Sequence, residues 1–254
     1  MFVRKALLFS LLWICNFYVS DAAPQTNYVG VVGGEPARIE DFPYMASLRF
    51  FGSHICGGTI IHERFILTAG HCLSNGFLFL LSVRVGTANI GEGGETYSVR
   101  KAITHPNYTR DRDYDLSILE LKSKLKFSEK VAIAKLPTTE EDYQADTVFN
   151  ITGWGDTEYD GQPSKRLLRS EVPWVDQKTC KTEYTGMFEI NDHMLCAGVE
   201  AHDACQGDSG GPLSLKGVVV GVVSGGRECA RKDYPTVYMK VSRFIGWIEN
   251  TIKY

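Results

Sequence analysis

Apolar positions along this chain come in short bursts instead of long helical stripes. From Val31 onward, runs at 45–51, 59–68, 78–85, 97–104, 116–121, 148–153, 167–175, 212–215, 218–224 and 236–241 are apolar or alternate apolar with polar, and Gly, Pro, Asn and Asp break them apart. A strand points successive side chains to opposite faces, so many short runs with frequent turn residues predict an all-β barrel or sandwich. One stretch keeps a different period. Val241, Phe244, Ile245, Ile248 and Ile252 recur at helical spacing behind a capping residue, Ser242, which predicts an amphipathic C-terminal α-helix over about 242–253. A polar patch at 137–146 splits the β region, and two barrels are expected, over about 31–136 and 147–240.

The residues before Val31 follow another logic. Arg4 and Lys5 precede an apolar run over 6–19, and small residues at Ser20 and Ala22 come just before Ala23 and Pro24. This is the pattern of a secretory signal peptide, residues 1–22, and the run is short of the ~20 apolar residues that span a bilayer. A short pro-segment, 23–30, then leads to Val31, and the chain is expected to be secreted without a membrane anchor. Of seven cysteines, Cys15 leaves with the signal; Cys56, Cys72, Cys180, Cys196, Cys205 and Cys229 remain. An even number in an exported chain reads as three disulfides, with the pairing open, and no C-x-x-C spacing suggests zinc.

Charge narrows the partners only slightly. The net charge of −3 over 254 residues comes without a basic run, so nothing indicates nucleic-acid binding. Chemistry is concentrated in Asp203-Ala204-Cys205-Gln206-Gly207-Asp208-Ser209-Gly210-Gly211-Pro212. A serine among glycines has backbone N–H groups available for an oxyanion, because glycine takes turns other residues cannot. Serine needs a base to become nucleophilic. Candidates are His71, in Leu67-Thr68-Ala69-Gly70-His71-Cys72, and an orienting acid, Asp115, in Asp113-Tyr114-Asp115-Leu116-Ser117-Ile118-Leu119. Each segment alone has an ordinary explanation as a turn or a surface group.

Together with Val31-Val32-Gly33-Gly34, Cys56-Gly57-Gly58-Thr59 and Gly153-Trp154-Gly155, these segments resemble the chymotrypsin/trypsin family of secreted serine endopeptidases, in the family's order and from Val31 to the end. The resemblance implies two antiparallel six-stranded β-barrels with the site between them, one peptidase domain over 31–254, and the pairs Cys56–Cys72, Cys180–Cys196 and Cys205–Cys229. It implies His71, Asp115 and Ser209 as the catalytic residues, with the N–H groups of Gly207 and Ser209 as the oxyanion hole. A zymogen is implied too, activated when an activating protease frees Val31, whose ammonium pairs with Asp208. Asp203 stands where the family selects Arg or Lys before the scissile bond, Tyr184 matches the trypsin-like pattern, and Ser224, Gly226 and Thr236 complete the substrate-binding set.

Several residues depart from the family. Gly30 precedes Val31 where relatives carry Arg or Lys, so either a protease preferring small residues activates the chain or cleavage falls elsewhere and the zymogen persists. Thr236 replaces a glycine at the pocket base, which shortens the pocket and puts a hydroxyl near Asp203; Gly225 replaces a tryptophan. Thr87 begins a segment poor in carboxylates where some relatives bind calcium, so neither a metal nor a cofactor is expected. Asn107-Tyr108-Thr109 and Asn150-Ile151-Thr152 are glycosylation sequons, the second within an expected strand. His54, His62, His105, His193 and His202 show no metal-ligand spacing and read as surface groups. The expected activity is that of a monomeric secreted endopeptidase acting on polypeptides and open to protein inhibitors. The alternatives are a weak or inactive binding protein on the same scaffold, or elastase- or chymotrypsin-like specificity.

Overall fold

The computed structural model describes residues 31–73, 76–140 and 142–253. The expected signal peptide and pro-segment lie outside the described residues. Thirteen strands, β1 (Glu35–Pro36), β2 (Met45–Phe50), β3 (Ser53–His62), β4 (Phe65–Thr68), β5 (Leu81–Val85), β6 (Glu95–Thr104), β7 (Ser117–Leu121), β8 (Val148–Gly153), β9 (Leu168–Val175), β10 (Met194–Ala197), β11 (Pro212–Leu215), β12 (Val218–Gly225) and β13 (Thr236–Lys240), build two closed six-stranded antiparallel barrels.

In the first barrel the order is β2-β3-β4-β7-β6-β5. The single apolar run expected at 59–68 is a hairpin, with Ile60 opposite Ile66 and Glu63-Arg64 in the turn, because two polar residues interrupt the alternation there. β5 alternates buried and half-buried residues, whereas β4 is buried throughout and β7 nearly so. These two inner strands bring Thr68 beside Ser117, so the segment ending in His71 and the one carrying Asp115 emerge together. Fully burying Leu67, Leu116, Ile118 and Leu119 contributes about 1.5–3 kcal/mol per side chain to hold that end of the barrel.

The second barrel runs β9-β10-β13-β12-β11-β8, closed by β8 on β9, and β1 adds to the outer side of β9. Two elements here escape a periodicity reading. β10 has only four residues, too few to show alternation, and is fixed by pairing with β9 and β13. α1 (Gln177–Glu183) is polar apart from buried Cys180, and Asp176 starts it by accepting the N–H groups of Lys178 and Thr179 at 3.0 Å each.

The C-terminal helix is shorter than expected. A tight 3₁₀ turn, Val241–Phe244, leads into α2 (Ile245–Ile252), with Phe244 and Ile248 buried. Ser242 is not its cap. Its hydroxyl is buried in the 3₁₀ turn without a hydrogen-bond partner, and Phe244, at the N-cap position before α2, gives no side-chain cap.

The six cysteines form Cys56–Cys72, Cys180–Cys196 and Cys205–Cys229, with Cα separations of 6.3, 6.3 and 5.1 Å. No helix among the described residues is long and apolar enough to cross a membrane. Asn107 is exposed in the loop after β6, whereas Asn150 lies in β8 between β9 and β11 with its Oδ1 buried and without a partner.

Candidate active site

The loop carrying Ser209 is gripped from both barrels. The Gly57 N–H of β3 donates to the Ser209 carbonyl at 2.8 Å, and Gly210 donates to Val223 of β12 at 2.7 Å. A Cβ on Gly57 would come within 2.7 Å of the Gly211 Cα, so the motif Cys56-Gly57-Gly58 keeps a glycine where two backbones touch. Gly210, at φ +77°, has no room for a side chain against the Thr68 hydroxyl.

Asp115 is fully buried and receives three hydrogen bonds. The His71 N–H donates to Oδ1 at 2.8 Å, and His71 Nδ1 and the Ser224 hydroxyl donate to Oδ2 at 2.7 and 2.6 Å. A carboxylate only accepts, so Nδ1 carries the proton and Nε2 is the basic nitrogen. His71 and Ser209 both line one cavity of about 280 Å³, and the Cys72 Sγ touches both, 3.9 Å from Nε2 and 3.7 Å from the Ser209 carbonyl oxygen. An oriented imidazole and a serine on a glycine-rich loop lining one cavity are the parts needed to activate a hydroxyl nucleophile.

His54, expected at the surface, belongs to this site. Its Nε2 donates to the Gly207 carbonyl at 3.0 Å, its Nδ1 accepts the Ser47 hydroxyl at 2.8 Å, and the ring packs on Trp154. Burial pushes its pKa down to about 4, so it stays neutral and holds the peptide after Gly207, itself at φ +93°, by a hydrogen bond alone. His105, also expected at the surface, stacks on Tyr114 at 4.7 Å and packs against Phe244 and Trp247. His202 meets Ser170 Oγ at 2.9 Å. Cys56, Cys72 and His71 bring their donor atoms within 4.8 Å of one another, yet both sulfurs are committed to the disulfide, so the group is not a metal site.

Two more buried carboxylates flank the loop. Asp208 accepts from Gly155 N–H at 2.8 Å and Cys205 N–H at 3.1 Å, while burial pushes its pKa up to about 7. A side chain at Gly153 or Gly155 would collide with this carboxylate, which is why Gly153-Trp154-Gly155 has its form. Asp203 is 1 % exposed, its Oδ2 accepting from Ala230 N–H at 2.9 Å and its Oδ1 without a hydrogen-bond partner. Burial raises it to about 6 against the opposing effect of the neighbouring Thr236 hydroxyl and nearby N–H groups. Thr236, Gly226 and Ala204 form the cavity wall, with Asp203 behind them. Tyr184 is fully buried, its hydroxyl donating to the Pro235 carbonyl at 2.8 Å close to Gly226.

Val31 is fully buried in the apolar cluster of the second barrel, where Val32 bridges to Asp203. Its φ is +41°, a conformation that costs a β-branched residue free energy. Arg112 also reaches this cavity, and neither motif nor spacing points to it.

Residues 31–248 match the family model described as Trypsin. The chain is 39% identical to "Trypsin 5G1" of Aedes aegypti over 86% of this chain and 84% of that protein. It is 35% identical to "Trypsin" of Phaedon cochleariae over 97% of each, and 37% identical to "Trypsin" of Simulium vittatum over 91% of this chain and 96% of the other.

Proposed function

Because the chain belongs to the trypsin family of serine endopeptidases, we propose that it is secreted, is activated by cleavage before Val31, and hydrolyses polypeptides after Arg or Lys. The observation that supports this preference most is Asp203, a buried carboxylate next to the cavity-wall residues Ala204 and Thr236, with one oxygen lacking a well-formed hydrogen bond. A buried charge of that kind is costly until a cation meets it, and an Arg or Lys side chain of the substrate is the cation an extended cavity admits.

The chemistry follows the mechanism known for the family. His71 takes the Ser209 proton as the hydroxyl attacks the scissile carbonyl, then returns it to the leaving amine. Asp115, fixed by three donors, holds the Nδ1–H tautomer and stabilises the imidazolium. The N–H groups of Gly207 and Ser209 stabilise the oxyanion, each such donor being worth roughly 3–4 kcal/mol in the transition state. Water then releases the acyl group by the same steps in reverse. The Val31 ammonium freed by cleavage pairs with Asp208, replacing a desolvated lone carboxylate with an ion pair. Glycosylation falls on exposed Asn107; the buried oxygen of Asn150 argues against a glycan there.

A direct test uses the chain opened before Val31, a serine-directed covalent inhibitor, and matched peptides differing only at the residue before the cut. Labelling of the wild type and not of Ser209→Ala, with Arg and Lys peptides cleaved at least tenfold faster than Phe or Leu peptides, is expected. Absence of labelling in both would instead support a binding protein on this scaffold, and faster cleavage after Phe or Leu would refute the cationic preference.

A further inference from the structure

The cavity wall carries a cation that neither the hydrolytic chemistry nor the cavity base uses. Arg112 lies in the loop between β6 and β7, just ahead of Asp115. That loop is closed on itself: Thr109 N–H donates to the Asp113 carbonyl and Arg112 N–H to the Thr109 carbonyl, both at 3.1 Å. Asn191 of the second barrel clamps it further, donating from Nδ2 to Asp113 Oδ1 at 2.9 Å. From this platform the Arg112 side chain crosses the cleft, and Nη1 donates to the Ser224 carbonyl at 2.5 Å.

The crossing requires Gly225. A Cβ built there would fall on the Arg112 guanidinium, 2.7 Å from Cζ, so any other residue at 225 would expel it. The glycine is therefore more than a missing aromatic wall; its place is taken by a planar cation. Among the described residues Arg112 has no ion-pair partner. Glu228, the carboxylate lining the same cavity, is held by Arg231 at 2.7 Å. A guanidinium has five N–H donors, and here one backbone oxygen is the hydrogen-bond acceptor found for it.

We propose that Arg112 selects peptides with an Asp or Glu side chain upstream of the residue that enters the cavity, an inference that rests on the endopeptidase reading. On the endopeptidase reading a substrate would be laid as an added strand along Ser224–Gly226, the segment the Arg112 guanidinium already contacts. Its carboxylate would meet a planar fork able to bind both oxygens, whose charge has no counterion among the described residues.

The test uses peptides with Arg before the cut and paired Asp/Asn or Glu/Gln substitutions at each of the upstream positions, with the chain opened before Val31. In kcat/KM the acidic member is expected to win by about tenfold at one or more positions, and the advantage should shrink as salt is raised. In Arg112→Ala and Arg112→Gln the acid-to-amide ratio should fall to near one, whatever happens to absolute rates; Gln keeps a donor for the Ser224 carbonyl but not the charge. A wild-type ratio near one, or a ratio unchanged in Arg112→Gln, overturns the proposal. Calorimetric binding of the same peptides to Ser209→Ala separates the two readings. Acid-dependent binding without wild-type hydrolysis keeps Arg112 as a recognition group and defeats the endopeptidase reading, whereas binding and hydrolysis that are both indifferent to the acid overturn the Arg112 proposal.

Discussion

Asp115 and Asp203 are equally shut away, at 0 % and 1 % exposure, yet their surroundings differ. Asp115 has three donors on its two oxygens, from His71 N, His71 Nδ1 and Ser224 Oγ. Asp203 accepts the Ala230 N–H on one oxygen, its other oxygen has no well-formed hydrogen bond although the Thr236 hydroxyl and the Ala204 and Thr236 N–H groups lie near the carboxylate, and burial lifts it to about 6. A buried carboxylate with its hydrogen bonds complete is a fixture that positions something else. One left incomplete is, on the cationic preference proposed above, a receptor kept costly until its ligand arrives.

Asparagine separates these two roles because it keeps the shape and removes the charge. At Asp115 the substitution should lower kcat by roughly 10⁴-fold, the size known for loss of the tautomer-fixing carboxylate in serine proteases, with KM far less affected. Steady-state kinetics on one Arg peptide reads this. A drop of less than tenfold would show that His71 finds its tautomer without Asp115.

At Asp203 the same substitution should make the protein more stable while it loses Arg and Lys cleavage. The sign follows from the raised pKa. A carboxyl lifted from 3.8 to about 6 in the folded chain leaves stability intact below about pH 4, and stability falls as pH rises through 6. Asp203→Asn removes that fall and can still accept the Ala230 N–H, so above pH 6 it should gain ~2–3 kcal/mol over the wild type. Denaturant melts from pH 4 to 8 measure the difference. Equal stability of the two proteins at pH 7 would mean that Asp203 carries no desolvation cost. Asp208, raised to about 7, keeps a further fall in both proteins, which pairing with a freed Val31 ammonium should abolish.

The smallest change sharpens the receptor itself. Thr236→Gly opens the wall in front of Asp203 and removes a hydroxyl that favours its charged form. Cleavage after Arg, which needs the longer cavity, should rise severalfold relative to Lys, a difference of about 1 kcal/mol. An unchanged Arg-to-Lys ratio would show that Thr236 does not limit the depth.

Much of this architecture is legible in the chain because strands announce themselves locally. Apolar or alternating runs fall within two residues of β2, β6, β7, β8, β9, β11, β12 and β13, whereas the run at 78–85 begins in a 3₁₀ turn, Leu78–Leu80, before β5; and the serine loop and the histidine segment, which share one cavity, stand out in the sequence. What escaped is set by distant partners. β10 is too short to alternate, and α1 buries only Cys180. Glycines 153 and 155 read as a family marker until the Asp208 carboxylate is seen lying against them. His54 looked like a surface histidine because the Gly207 carbonyl that holds it is 153 residues away. Arg112 meets Ser224 across 112 residues, and no local pattern signals that contact.

The unfavourable turn at Val31 bears on how the molecule ages after synthesis. A φ angle exists only while a peptide carbonyl precedes the residue, so hydrolysis of the bond before Val31 deletes the torsion along with its +41° value. The uncut chain is a wound spring at that one residue, and the cut chain cannot be. If the chain is opened before Val31 as proposed, that unfavourable torsion is lost with the bond, so a single backbone angle favours the cut form over the uncut one.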